Sequence, residues 1–224
     1  MKPFIKICGL TRLQDAQLAL TLGARYLGFI FAQGTPRVVD VKNVQEILQS
    51  LGKQSKAADQ DFFSVGVFLN ESPAEIQRIV QACKLDFAQV HGPVTPLHRA
   101  AIQVPVIPAI RMKNEASTQE AAQHLAYGPV LLDTYAENQH GGTGKTFRHE
   151  LAFPLLTQGK VMIAGGIGPG NIAAVYQAFQ TAGKLPFGFD LSSGIEAEVR
   201  VKSEEKIRAF FTAYHKVCTQ HAEG

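Results

Sequence analysis

The 224-residue sequence predicts an α/β protein, a single (βα)8 barrel of the TIM-barrel type. Three observations support this fold class: eight short apolar runs recur along the chain, helix-patterned segments separate them, and polar or small residues stand where the runs end. A barrel gathers all these ends around one mouth, whereas a doubly wound sheet, the alternative, places its site in a crevice. We therefore expect one domain over residues 1–224.

Each predicted strand is apolar on both faces, as a buried parallel strand requires. In chain order the strands are FIKI near Ile5, RYLGFIF to Phe31, FFSVGVFL to Leu69, LDFAQVHG to Gly92, VPVIPAIR to Arg111, GPVLLDT to Thr134, KVMIAGG to Gly166 and FGFDLSSG to Gly194. Apolar spacing near 3.6 residues predicts helices over 13–22, 44–51, 74–83, 116–125, 172–182 and 204–217, with a weaker one near 95–103. The polar segment GKQSKAADQD, which ends at Asp61, indicates a surface loop.

Composition and charge limit the kinds of partner. Lys and Arg are scattered and the net charge is only +3, so nucleic acid is not expected, while either an anionic small molecule or an ordinary solvated surface is compatible. Cys8, Cys83 and Cys218 form no CxxC pair, which favours reduced thiols, a cytoplasmic location and no metal site. No apolar run is long enough for a signal peptide or a membrane span, so no membrane contact is expected.

The segment HGGTGKTF, residues 140–147, ends like the phosphate-binding loop of a nucleotide hydrolase. That motif needs glycine five residues before Gly144, where this chain has Gln139, and it needs a direct strand-to-helix connection that the polar YAENQ interrupts. Nucleotide hydrolysis is therefore excluded. A flexible lid over a substrate fits the composition, and a solvated loop without chemistry is the alternative; the lid residues are Gly141, Gly142, Gly144 and Lys145.

Two turns of small residues follow the last two predicted strands. Gly165 and Gly166 end the seventh strand, and Pro169 and Asn171 open a helix whose amide groups attract anions. A second turn follows the eighth strand and contains Ser192, Ser193 and Gly194. Barrels frequently hold a phosphate at these two places, so we expect a phosphate site there, although either turn alone is ordinary turn chemistry.

Further polar residues stand at the predicted mouth: Cys8, Arg37, His91, Arg111, Asp133 and Asp190. Cys8 is either a small buried apolar residue or a reactive thiol, and Asp133 is either a helix cap or a carboxyl with an altered pKa. His91 is compatible with a simple strand-end role. Arg37 and Arg111 are surface residues or ligands of a carboxylate, which guanidinium groups bind in a bidentate way.

The motifs KICGLT, GFIF with TPR, QVHG, AIR, LLDT with GGTGKTF, IAGGI with GN, and DLSSGIE occur in this order from Lys6 to Glu196. Together they resemble the phosphoribosylanthranilate isomerase family of tryptophan biosynthesis. The resemblance implies a (βα)8 barrel that converts N-(5-phosphoribosyl)anthranilate to 1-(o-carboxyphenylamino)-1-deoxyribulose 5-phosphate by an Amadori rearrangement. It also implies that no cofactor or metal is used, and we expect a monomer or a homodimer.

The resemblance gives the mouth residues their roles. Cys8 corresponds to the general base at ribose C2, Asp133 to the general acid at the ring oxygen, and Arg37 to the ligand of the anthranilate carboxylate. His91, Arg111 and Asp190 form the rest of the substrate site, and the phosphate is held by Gly165, Gly166, Ser192, Ser193 and Gly194. The chain departs from the family at Arg200 and Ser203, where glycine and aspartate are usual, although Lys202 is retained.

Two other functions share features with this sequence. Indole-glycerol-phosphate synthase is a related phosphate-binding barrel that uses lysine chemistry, and the sequence offers no lysine at a suitable strand end except Lys145 in the predicted lid. A non-catalytic phosphate-binding barrel would need the two turns but neither Cys8 nor Asp133. Both residues are present, which favours the isomerase.

Overall fold

The computed structural model describes residues 2–52, 62–134 and 149–219. The predicted lid residues, from Gly141 to Lys145, lie outside the described residues. The predicted surface loop that ends at Asp61 also lies outside them, except for Gly52.

The sheet is a closed barrel of eight parallel strands in chain order, which confirms the predicted fold class. Its closure is the pairing of the first strand with the eighth, where Lys6 is the register partner of Asp190. The strands are β1 (Phe4–Cys8), β2 (Tyr26–Ile30), β3 (Phe63–Phe68), β4 (Phe87–His91), β5 (Val106–Met112), β6 (Val130–Thr134), β7 (Val161–Ala164) and β8 (Gly188–Leu191).

Helices follow most strands on the outside of the barrel, and each predicted helix is found within a few residues of its expected limits. They are α1 (Leu13–Thr21), α2 (Val41–Ser50), α3 (Pro73–Cys83), α4 (Pro96–Ala101), α5 (Glu115–Leu125), α6 (Ile172–Thr181) and α7 (Glu204–Thr219). Helix α2 begins three residues earlier than predicted because the Asp40 side chain caps it, accepting a hydrogen bond of 2.7 Å from the Asn43 amide. None of the helices in these described ranges is long and apolar enough to cross a membrane.

The segment after β8 contains a hairpin that the sequence analysis does not predict. Its two strands are β9 (Glu196–Glu198) and β10 (Val201–Lys202), and Arg200 lies between them with a φ of 77°. Left-handed backbone is unusual for a residue with a side chain, and this position is one where the resembled family has glycine.

The two ends of the barrel interior differ in chemistry. The amino ends of the strands are closed by aromatic rings with centroids 5.1–6.3 Å apart, contributed by Phe4, Tyr26, Phe63, Phe87 and Phe187. A small apolar layer packs against these rings and is formed by Ile107, Ala109, Leu131, Met162 and Ala164. Further toward the carboxyl ends the interior holds polar side chains, and this is where the site is formed.

Candidate active site

A cavity of about 230 Å³ opens at the carboxyl ends of the strands. It is lined by residues at the ends of β1, β2, β3, β4, β6, β7 and β8 and in the loops after them, as expected for a barrel of this type. All the sequence-predicted site residues in the described ranges line it, except Arg37 and Arg111. The ones that line it are Cys8, His91, Asp133, Gly165, Gly166, Asp190, Ser192, Ser193 and Gly194.

Cys8 has a buried cationic neighbour that sequence analysis missed. Lys6 lies two residues before Cys8 on β1, so both side chains point to the same face of the strand, here the barrel interior. The Lys6 ammonium is fully buried and donates a hydrogen bond of 3.0 Å to Asp190 Oδ1. The i, i+2 spacing of Lys6 and Cys8 within a predicted strand is the sequence feature that would have indicated Lys6 as a site residue.

The thiol of Cys8 is not an ordinary exposed thiol. Burial raises the pKa of Cys8 above its usual range, while the charges of Lys6 and Lys202 oppose that rise. The thiolate that a base requires therefore forms against the cost of burial, and the two ammonium groups reduce that cost.

Asp133, the penultimate residue of β6, lines the same cavity. Its register partners are Arg111 on β5 and Ala164 on β7, and its side chain is partly buried. Strands β7 and β8 separate it from Cys8 around the barrel, so a substrate in the cavity would lie between thiol and carboxyl. Arg111 is exposed and does not line the cavity.

Strand β4 contributes a second polar pair. Gln89 Nε2 lies 2.9 Å from Nε2 of His91, and burial with the charges of Lys6 and Arg111 lowers the pKa of His91 to about 4. The imidazole is therefore neutral at pH 7. Gln89 is 1% exposed and lines the cavity, and its Oε1 has no hydrogen-bond partner among the described residues. Sequence analysis missed Gln89 because it lies inside a strand.

The two small-residue turns pack directly against each other. Gly165 and Gly166 have φ values of 94° and 66°, which suit glycine. A Cβ on Gly194 would lie only 2.3 Å from the Ile167 carbonyl oxygen, so no side chain fits there. Asn171 braces the first turn, accepting from the Gly168 amide at 2.9 Å and donating to the Gly166 carbonyl at 2.8 Å.

Arg37 lies beside the cavity and is already paired on one edge. Its Nε and Nη2 atoms donate to the two carboxylate oxygens of Glu196 at 2.8 and 2.6 Å. Its stem crosses Gly9, where a Cβ would lie 2.9 Å from Arg37 Cδ. Glu196 also accepts from the buried Lys202 ammonium at 3.1 Å, and Lys202 donates to the Ser192 carbonyl at 3.1 Å. One bonded chain thus joins the loop after β2 to the turn after β8.

The two departures from the resembled family keep this region intact. Arg200 Nη1 donates to the carbonyl oxygens of Pro36 and Val38, on either side of Arg37, at 3.0 and 3.1 Å. Ser203 accepts a 3.2 Å hydrogen bond from the Lys206 amide in the first turn of α7, a capping role that an aspartate also fills.

The fold and cavity define a (βα)8-barrel enzyme whose site holds a thiol and carboxyl groups suited to proton transfer. Residues 5–213 match the family described as "N-(5'phosphoribosyl)anthranilate (PRA) isomerase", and the chain belongs to that family. It is 35% identical to the N-(5'-phosphoribosyl)anthranilate isomerase of Pelobacter propionicus over 92% of each chain.

Solved structures agree with this membership. One is a phosphoribosyl anthranilate isomerase in complex with reduced 1-(o-carboxyphenylamino)-1-deoxyribulose 5-phosphate, 28% identical, with a TM-score of 0.79 over 96% of this chain and 99% of that one. Another contains monomers of the dimeric phosphoribosylanthranilate isomerase from Thermotoga maritima, 26% identical, with a TM-score of 0.79 over 95% of this chain and 98% of that one.

Proposed function

We propose that this chain isomerises N-(5-phosphoribosyl)anthranilate to 1-(o-carboxyphenylamino)-1-deoxyribulose 5-phosphate, using Cys8 and Asp133 for the two proton transfers. The observation that carries the proposal is that both side chains line one cavity at the barrel mouth. A protein that only bound phosphate would need neither of them. Family membership supplies the substrate, and the cavity supplies groups of the right chemistry.

The reaction divides between the two groups. Asp133, in its acid form, gives a proton to the ribose ring oxygen while the C1–O bond breaks and the anthranilate nitrogen forms a C1=N iminium. The Cys8 thiolate then takes the proton from C2, and the electrons of that C–H bond form C1=C2 as the iminium electrons return to nitrogen. The resulting enol becomes the ketone when C1 receives a proton and the C2 hydroxyl loses its own. General acid–base steps of this kind each contribute roughly 10²–10⁴-fold to a rate.

The two turns after β7 and β8 are the proposed phosphate site. Gly165, Gly166, Ser192, Ser193 and Gly194 line the cavity, and the two turns meet where a Cβ on Gly168 would lie 3.1 Å from the Gly194 carbonyl oxygen. Backbone amides at such a place donate hydrogen bonds to bound anions. A phosphate or sulfate bound elsewhere at the mouth, with these turns empty, would contradict this assignment.

The remaining mouth residues are proposed to hold the anthranilate and ribose parts. Arg37 carries five N–H donors, so it keeps donors for a carboxylate beyond the two that Glu196 accepts. His91, whose imidazole is neutral at pH 7, lines the cavity, and so does Asp190. Arg111, which does not line it, would have to turn toward a bound substrate.

We also infer a cytoplasmic location and no cofactor. All three cysteines are free, and a base such as Cys8 requires a reduced thiol. For the assembly we propose a monomer or a homodimer, the second because a solved relative is dimeric.

The test is a fluorescence assay of phosphoribosylanthranilate loss with the parent protein, Cys8→Ser and Asp133→Asn. Each variant keeps the shape of its side chain, so thermal melts should stay close to the parent while kcat falls roughly 10²- to 10⁴-fold. Lack of turnover by a folded parent protein would refute the isomerase. Near-parental kcat in one variant would refute the role of that residue alone.

A further inference from the structure

Lys6 is a buried cation that the proton transfers above do not use. We propose that Lys6, anchored by Asp190, is a positioning residue that orients the Cys8 sulfur and stabilises it as the thiolate. This inference rests on the proposed function only in assigning Cys8 as the base.

The burial of Lys6 calls for an explanation. Its side chain has no exposed surface, at a barrel-interior position where branched apolar residues are usual. A buried ammonium is costly unless it is paired, and here the Asp190 carboxylate, on the neighbouring strand, accepts from it at 3.0 Å. The pair is thus compensated, but an apolar pair would fill the same space at lower cost. A functional use of the charge is the simpler explanation.

The Cys8 sulfur is the second polar group near the Lys6 ammonium. Lys6 Nζ and Cys8 Sγ each lie 3.1 Å from the point where a Cβ on Gly28 would stand, so the ammonium and the sulfur are close neighbours. The absence of that Cβ leaves the space in which the two groups meet. A glycine at this position of β2 is therefore part of the arrangement.

The charges around the sulfur distinguish Lys6 from its neighbours. Asp190 on β8 disfavours the thiolate, whereas Lys202 on β10 and Arg37 after β2 favour it by charge. Lys6 is the neighbour that lowers the pKa of Cys8 most. Although burial alone would lower the pKa of Lys6, Asp190 and Cys8 raise it above its ordinary value, so the ammonium stays charged.

The geometry gives Asp190 a further role. Its Oδ1 atom holds the ammonium at the end of a long flexible side chain, which fixes where the positive charge stands relative to the sulfur. Charge-assisted hydrogen bonds of this kind are short and directional. Asp190 would then act on the base through Lys6, in addition to any contact with substrate.

The test uses the double variant Lys6→Met/Asp190→Asn, which removes both charges and leaves neither buried alone. The readout is the rate of Cys8 alkylation by iodoacetamide across pH 6.5–10, followed by mass spectrometry of the Cys8 peptide. A rise of one unit in the thiol pKa lowers the thiolate fraction about tenfold. Because Asp190 disfavours the thiolate, its removal offsets part of the effect, so we expect a severalfold loss, up to about that size, at pH 7.5 and a profile displaced toward alkaline pH.

Lys202→Met is the matched control. Lys202 is also a fully buried lysine in an ion pair, but it lowers the pKa of Cys8 less than Lys6 does, so its variant should lose clearly less Cys8 reactivity. Alkylation of Cys83, buried at the end of α3, reports loss of structure in the same digest. Turnover should show a fall in kcat, as expected when an interaction acts on the chemical step; KM is not used as a readout, because Asp190 is also proposed to hold the substrate.

An unchanged Cys8 profile in the folded double variant would overturn the proposal, and so would an equal loss in Lys202→Met. If the double variant is unfolded or exposes Cys83, the test uses Gly28→Ala instead. The new methyl group would lie 3.1 Å from Cys8 Sγ, from Cys8 Cα and from Lys6 Nζ, so it displaces the sulfur and the ammonium while their charges remain. Parental Cys8 reactivity in that folded variant would also overturn the proposal. Alkylation requires no substrate, so absent turnover by the parent would refute the isomerase separately.

Discussion

Gly194→Ala tests whether the turns after β7 and β8 form the phosphate site. The new Cβ would stand 2.3 Å from the Ile167 carbonyl oxygen, and real Cβ contacts essentially never fall below 3.0 Å. The two backbones must therefore separate by about 0.7 Å, and the obstructing atom is backbone rather than a flexible side chain. The variant thus moves the proposed amide donors while leaving every side chain of the proton-transfer site in place.

The expected magnitudes follow from this displacement. Overpacking costs about 1–3 kcal/mol, and each kcal/mol lowers the Tm of a domain this size by about 2–4 °C, so a loss of roughly 2–12 °C is expected. A misplacement near 1 Å in a binding site costs on the order of 10²-fold. We expect that loss mainly in KM, because the phosphate is held equally in substrate and transition state.

The assay is steady-state turnover with inorganic phosphate as competitive inhibitor, beside Gly170→Ala as control. Gly170 lies in the loop between Gly166 and α6, but a Cβ there meets nothing within 4 Å, and its φ is not in the left-handed region. The control should keep parental KM and Tm. Parental KM and phosphate inhibition in a folded Gly194→Ala would refute the reasoning.

Two further predictions concern β4. Gln89→Met removes the buried unpartnered Oε1 atom but also the Nε2 hydrogen bond to His91, so the two effects offset and Tm should stay within about 3 °C of the parent. KM should rise about tenfold if substrate supplies the donor that Oε1 lacks, and an unchanged KM would show that it does not. His91 has its pKa lowered to about 4, so its folded form resists protonation, and stability present above pH 6.5 is lost as pH falls toward 4. The loss should be roughly 2–3 kcal/mol, and His91→Gln should show a correspondingly smaller loss in urea unfolding between pH 7 and 4; an equal loss would contradict this.

The sequence predicts the barrel well because buried parallel strands are short apolar runs whose ends are marked by polar residues. Cys8, His91 and Asp133 were found in this way, since strand ends become a common mouth in any (βα)8 barrel. Lys6 was missed for the same reason, because a lysine inside an apolar run is normally a sign of an exposed strand face.

Contacts between distant parts of the chain could not be predicted from the sequence. The pairing of Arg37 with Glu196 joins residues 159 positions apart, and no local pattern indicates it. The β9–β10 hairpin has strands of three and two residues, too short for an alternation to be recognised. Its left-handed Arg200 is fixed by hydrogen bonds to the β2 loop rather than by its own preference.

The bonded chain from Arg37 through Glu196 and Lys202 to Ser192 has a consequence for how a ligand with two charged ends is recognised. A carboxylate on the remaining donors of Arg37 would share one guanidinium with Glu196 and repel it, and any movement of Glu196 reaches the Ser192 carbonyl through a single buried ammonium. The two ends of the ligand are therefore thermodynamically coupled, and occupation of one end changes the affinity for the other by the same factor in both directions. Inorganic phosphate and an aromatic carboxylic acid, added as separate molecules, should each change the Kd of the other. The sign of that change depends on whether Glu196 keeps its hydrogen bond with Lys202 when Arg37 binds the carboxylic acid.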